Sequence, residues 1–263
     1  MSSEVIALPG QETLLACWRT LADISPGARL VRSVVAAAAV FPSWTPLNNA
    51  ITLHGRDSAS AAAAASKQLA SVYADAGVDV WALWVPSHAA DLDAPDAVGA
   101  VGRLTRDTTT LVMQAVVPQG LRLRADVVPA SIAAATRAAG DEPVPAADLG
   151  QPETAPGLSA WVMVQDDVAV AGAWSFLHEE DCGIYTVGTL PGWRRRGFAR
   201  SLVEHVLADA RHRGARTATL QSSRMAQRLY ESLGFEPVGR YEEWVSRRTP
   251  QETPAEAAGG AAS

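Results

Sequence analysis

Apolar positions along residues 30–118 follow two periods in turn. "LVRSVVAAAAVF" (30–41), "VDVWALWV" (78–85) and "TTTLVMQAV" (108–116) are β-branched or aromatic runs of strand type. Between the first two lies the Ala-rich "SASAAAAASKQLASVYADAG" (58–77), to which Leu69 and Val72, with Tyr73 beside them, give a helical face that ends at a glycine. Beyond Gly120 the signals sharpen. "LRLRADVV" (121–128) alternates like a half-buried strand, and "PASIAAATRAAG" (129–140) reads as a helix with Pro129 near its start and Gly140 at its end. "SAWVMVQ" (159–165), "VAVAGAWSFL" (168–177) and "GIYTVGTL" (183–190) predict an antiparallel meander turned at Asp166-Asp167 and at "HEEDC" (178–182). Ala199, Leu202, Val203, Val206, Leu207 and Ala210 then form one stripe of period 3.6, stopped at Gly214. "RTATLQ" (216–221) is a short strand. Ser222 or Ser223 caps a second helix with Met225, Ala226, Leu229, Tyr230 and Leu233 on one side and Gly234 as its stop, and "FEPVGRYEEWV" (235–245) closes as one or two strands.

Breaks fall at "VPQG" (117–120) and at the four-proline stretch 141–157, and the last fifteen residues lack large apolar side chains. The expected division is an N-terminal α/β domain (1–118), a second domain (119–248) and a disordered tail (249–263). With 48% hydrophobic residues in 263, the chain can bury substantial cores. A net charge of −6 argues against a general nucleic-acid binder, and no apolar run approaches a membrane span. Cys17 and Cys182 are too few for a disulfide scaffold or a four-cysteine metal site, and no metal is expected. The N-terminus lacks a basic segment followed by a long apolar one, so the reading is a cytoplasmic protein, monomer or homodimer.

Chemistry concentrates in "PGWRRRGFARSL" (191–202). Three adjacent arginines alone read as a solvated surface run, but these lie between a strand and a helix start. Free N–H groups at a helix start favour an anion, and Gly197 and Ala199 leave the backbone open to it. The loop is neither a Walker A sequence nor a G-x-G-x-x-G.

Arg194-x-x-Gly197-x-Ala199 resembles the R/Q-x-x-G-x-G/A signature of the GCN5-related N-acetyltransferase (GNAT) family. "YTVGTLP" before it looks like that family's fourth strand, and "SRMAQRLYESLGF" (223–235) is similar to its N-x-x-A-x-x-L-Y-x-x-x-G-F segment, with Ser223 in place of the frequent Asn. The resemblance covers about residues 121–247. It implies an α/β fold of the α+β kind, a mixed, mostly antiparallel sheet flanked by helices, preceded by a second α/β domain that in two-domain members is a degenerate copy.

It also implies an acetyl-CoA site. The backbone of Val187 and Thr189 would bond the pantetheine, and the amides of Arg195, Arg196, Gly197, Phe198, Ala199 and Arg200 the pyrophosphate. Arg194 or Arg195 would lie near the nucleotide, and Ser223 would help hold the cofactor. Tyr230 matches the proton donor to the departing thiolate, and the N–H of Val187 is the oxyanion candidate. Tyr230 also reads as a core aromatic on the buried side of its helix. The implied reaction is acetyl transfer to a primary amine of a small molecule or protein; the alternative is a non-catalytic acyl-CoA-binding or regulatory module. For a base, His178, Glu179, Glu180 and Asp181 are candidates, although a charged turn is more often simply solvated; Glu242 and Glu243, near the end of the last strand region, are further candidates, and a water can relay the proton. Most of the tryptophans read as core, Trp193 as exposed, and "FPSWTPLNN" (41–49) as a candidate pocket loop.

Overall fold

The computed structural model describes residues 7–44, 47–53, 58–88, 104–140 and 142–246. The tail expected at 249–263 lies outside them. The first element is a helix that the pattern reading passed over, α1 (Gln11–Ile24), which buries Leu14, Leu15, Trp18, Leu21 and Ala22 along one stripe. The run 30–41 is two strands, β1 (Arg29–Arg32) and β2 (Ala36–Val40), rather than one. Ser33 breaks it, because its hydroxyl accepts the N–H groups of Val35 and Ala36 and closes a serine turn. Then follow β3 (Asn49–Thr52), α2 (Ser58–Asp75), β4 (Ala82–His88) and β5 (Thr105–Val116).

The second half has β6 (Val127–Pro129), α3 (Ile132–Ala139), β7 (Val144–Pro145), β8 (Leu158–Gln165), β9 (Val168–His178), β10 (Asp181–Thr189), α4 (Phe198–His212), β11 (Thr217–Ser222), α5 (Gln227–Glu231) and β12 (Glu236–Val245). The meander β8–β9–β10 is present, turned at Asp166-Asp167 with both residues at positive φ. The strand expected at 121–128 shrinks to β6, since Leu123 is half-exposed and the ladder with β8 starts at Val127, preceded only by the Asp126 carbonyl accepting the Val164 N–H.

The halves repeat one plan. Each has a three-strand antiparallel meander whose last strand crosses over by a helix to a parallel neighbour, β3–α2–β4 in the first and β10–α4–β11 in the second. They also interlock. The sheet runs β1-β2-β3-β4-β12-β5-β11-β10-β9-β8-β6, so β5 lies between β11 and β12, and β12 between β4 and β5. One sheet thus continues across residue 118, mixed and mostly antiparallel as expected.

Alternating residues send the two faces of this sheet to different cores. Ala37, Ala39, Val112, Trp174 and Tyr241 pack in one core with α1 and α3. On the other face, Ala36, Ala38, Leu83 and Trp244 pack with α2, and Met113, Ala115 and Ile184 with α4. The packing of α3 on the sheet is close: a Cβ on Gly172 or Gly188 would meet the carbonyl oxygen of Ala135 or Ala139 at 1.9 or 1.8 Å.

Candidate active site

The parallel pairing of β10 with β11 runs from Asp181↔Thr217 to Ile184↔Leu220 and stops there. Past that point β11 stays with β5, through Gln221↔Val112 and Ser222↔Leu111, while β10 stays with β9. The sheet therefore opens into a V. A bulge in β10 between Tyr185 and Gly188 re-aims the strand at the opening, with Thr186 at φ 51. A β-branched residue at positive φ carries roughly 1–3 kcal/mol of strain, a cost met mostly at binding sites. Leu190 N–H bonds the Val170 carbonyl, so by the alternation of the ladder Thr189 turns its own N–H and C=O away from β9, into the opening. Val187, in the bulge two residues earlier, lines the same opening.

Leu190 leads into a 3-10 turn (Pro191–Trp193), an extended Arg194, Arg195 at φ 62 and Gly197 at φ 86, from which α4 starts. Its first backbone bond is Ser201 N–H to the Gly197 carbonyl, at 3.0 Å. Among the described residues the N–H groups of Arg195, Arg196, Gly197, Phe198, Ala199 and Arg200 make no backbone hydrogen bond. No side chain caps α4 and no acidic residue occupies its first turn. Donors and helix dipole together leave a positive concavity. Gly197 is needed there on two counts: φ 86 excludes most side chains, and a Cβ would stand in open space where an anion fits.

The arginines divide the work. Arg194 Nε donates to the Thr189 carbonyl at 2.9 Å, tying the loop to the end of β10. Arg196 lies over the ring of Trp193, 4.8 Å from its centroid, and Trp193 packs on Phe198. Trp193 is therefore half-buried, not exposed as the sequence suggested. Arg200 pairs with Glu204 along α4. Arg195 faces the cleft.

That cleft, of about 550 Å³, is lined by Val187, Gly188, Thr189, Arg194, Arg195, Gly197, Phe198, Ala199, Arg200, Ala226 and Tyr230. A second pocket of about 350 Å³ opens on the other side of the V, between Trp18 of α1, Trp84 of β4, Trp174 of β9 and Tyr185 of β10. Val187, Ala226 and Tyr230 line both. Tyr230 is 5% exposed, and burial pushes its phenol up to about 12. It remains protonated throughout the neutral range.

Eight of the ten predicted cofactor residues thus line one cleft, while the Arg196 side chain lies over Trp193 and is not in its lining. Ser223 borders the second pocket instead, and caps no helix: its carbonyl accepts from Ala226 N–H in a turn, and α5 begins only at Gln227. His178, Glu179, Glu180 and Asp181 lie at the far end of β10, away from the V. There Asp181 accepts hydroxyl bonds from Thr13, Thr217 and Thr219, and Glu180 pairs with Arg216. Glu242 is buried beside Arg240. Glu243, its carboxyl raised by burial, accepts from Trp84 Nε1 at 3.1 Å. Cys17 and Cys182 are buried, the Cys182 thiol pushed up to about 12, so neither is a thiolate near neutrality.

The loop 41–49 does reach the second pocket, through Leu47 and Asn49; Thr45 and Pro46 lie outside the described residues. Sequence reasoning missed Leu14 and Trp18. The signal was present in the spacing of Leu14, Leu15, Trp18, Leu21 and Ala22.

Residues 130–235 match the family model described as Acetyltransferase (GNAT) family. A stretch of 76 residues, 28% of the chain, is 33% identical to the [Ribosomal protein bS18]-alanine N-acetyltransferase of Salmonella typhimurium; the match spans about half of that protein, 51%. Over 93% of this chain and 97% of the other, the fold is similar to that of a GCN5-related N-acetyltransferase from Kribbella flavida, with a TM-score of 0.61 at 17% identity. An acetyltransferase of the GNAT family from Novosphingobium aromaticivorans is similar over 84% of this chain and 92% of its own, with a TM-score of 0.55 at 19% identity. At such identities the likeness is one of fold, and it takes in the N-terminal half. The chain therefore carries, over residues 130–235, an acetyltransferase domain of the GNAT family.

Proposed function

We propose that the protein transfers an acetyl group from acetyl-CoA to a primary amine by direct attack. One observation carries the reading: Val187 and Tyr230 form the wall shared by a positively charged, anion-accepting cleft and a separate pocket, so a thioester reaching that wall from one side meets an amine arriving from the other. The pyrophosphate of the co-substrate suits the open amides from Arg195 to Arg200, with the Arg195 guanidinium in the same cleft. The extended pantetheine suits the edge of β10 at Val187 and Thr189, as an added strand would, with the Thr189 N–H turned to it and the Thr189 carbonyl already held by Arg194 Nε.

In the reaction the amine lone pair attacks the thioester carbonyl, and the N–H of Val187 faces the developing oxyanion. The C–S bond then breaks with its electrons on sulfur. Tyr230 gives its proton to that sulfur and regains one from solvent, and the amine nitrogen loses its extra proton to water.

The test is amine-dependent release of thiol from acetyl-CoA, with the acetylated product identified by mass. Tight acetyl-CoA binding with no transfer to any of a broad amine panel contradicts the enzyme reading and supports a binding module.

A further inference from the structure

The second pocket says which amines can react, granted the transferase reading. Its walls come from both halves. Trp18 and Trp84, 5.9 Å apart between centroids, belong to the N-terminal half; Trp174 and Tyr185, 4.6 Å apart, belong to the C-terminal half. Leu14 and Leu47 extend the apolar lining, and its polar members, among them Asn49, Gln221 and Ser223, are uncharged. Among the described residues that line it, none carries a formal charge. Glu243 is not part of the lining, and its bond from Trp84 Nε1 leaves that indole to present hydrocarbon and ring face.

Two effects compete for an ammonium in such a pocket. Contact with an aromatic face attracts it weakly. Removing a cation from water with no carboxylate to meet it costs several kcal/mol, and desolvation prevails. A bound ammonium is also unreactive until it loses a proton, and no carboxylate lines the pocket to take it. Each unit by which the amine pKa exceeds the ambient pH reduces the reactive fraction about tenfold. A polycation fares worst.

We infer that the acceptor is a weakly basic primary amine, of the basicity of an α-amino group beside a carbonyl, attached to an apolar or aromatic body, and that the N-terminal half selects it through Trp18, Trp84, Leu14 and Leu47. An ordinary α-amine has a pKa of ~7.7–8, against ~10.4 for an alkyl amine such as that of lysine.

The experiment compares phenylalanine amide, alanine amide, phenethylamine and spermidine with acetyl-CoA and the full chain, reading thiol release and product mass. Near neutral pH, kcat/KM for phenylalanine amide exceeds that for phenethylamine by about tenfold or more, and the gap narrows as pH rises and phenethylamine deprotonates. Spermidine is the poorest acceptor. Gln221→Glu, a near-isosteric change that places a carboxylate in the lining, narrows the gap between phenylalanine amide and phenethylamine. Trp84→Leu lowers kcat/KM for phenylalanine amide toward that for alanine amide and leaves the KM for acetyl-CoA unchanged. Spermidine or phenethylamine ahead near neutral pH, or a gap that Gln221→Glu leaves alone, overturns this inference while the transferase reading stands. Transfer to none of the four overturns this inference, and the transferase reading falls with it only when the broad amine panel also gives no transfer.

Discussion

Gly197 carries the cleft's demand for open backbone. Its φ of 86 is hostile to any L side chain, and a Cβ there would touch nothing in the protein. Gly214, at the other end of α4, has φ 101 and equally open surroundings. Alanine at either position strains the backbone by roughly 1–2 kcal/mol. In a chain of this size that lowers Tm by about 2–4 °C per kcal/mol. We expect Gly197→Ala and Gly214→Ala to lower Tm alike, but only Gly197→Ala to raise the KM for acetyl-CoA, by about tenfold or more. An equal effect of both on KM removes the anion from the loop. This residue was legible in the sequence, because a strand, a tight loop and a helix start are local. Thr186 was not: nothing in "YTVGTL" announces that its threonine occupies positive φ, since the bulge arises where β10 must follow β9 and leave β11.

At the scale of elements, α4 followed its pattern closely. Leu202, Val203, Val206, Leu207 and Ala210 are buried, Ala199 is left for the cleft, and Gly214 closes the helix in the left-handed region. The same helix buries a histidine that the stripe did not include. His205 is 3% exposed, accepts the Arg124 N–H at Nδ1, stacks edgewise on Trp161, and has a pKa lowered chiefly by desolvation. Asp209 and Asp126 pull the other way, and Arg124 adds slightly to the lowering. A histidine whose pKa is lowered on folding binds its proton more readily in the unfolded chain. Stability therefore rises with pH through the window below about 6.5 and is lost as pH falls through it. His205→Gln should flatten the fall in Tm between about pH 7.5 and 5.5; an unchanged slope would show that other groups carry the acid sensitivity. The alternation at 121–128 misled for a physical reason. Period-two patterning marks a strand only where a neighbour can complete the ladder, and here the chain runs past the edge of the sheet with Arg124 bonded to α4.

The whole molecule is where sequence reading had least purchase. Nothing local says that β5 belongs between β11 and β12, yet that exchange joins the halves and carries Trp84 and α1 to the rim of the C-terminal site. The cleft proposed for acetyl-CoA is lined mostly by one contiguous segment, residues 187–200, with Ala139 of α3 and residues of and just before α5, and most of that lining was legible in the sequence. The pocket proposed for the acceptor gathers residues from Leu14 to Tyr230, and that gathering was not legible. The interlock has a consequence for the division proposed at residue 118. A fragment of residues 119–246 lacks β4 and β5, leaving β12 without either partner strand and β11 paired to β10 alone, and should be insoluble or lack cooperative unfolding by circular dichroism. A cooperative, soluble fragment would show the exchange to be dispensable. The central claim, that two pockets meet at a catalytic phenol, is tested most directly by Tyr230→Phe, measured for turnover and CoA affinity side by side. In that variant kcat should fall by about 100-fold or more with CoA affinity nearly unchanged, and the wild-type rate should show no falling limb up to about pH 10. Turnover in Tyr230→Phe equal to wild type would contradict it.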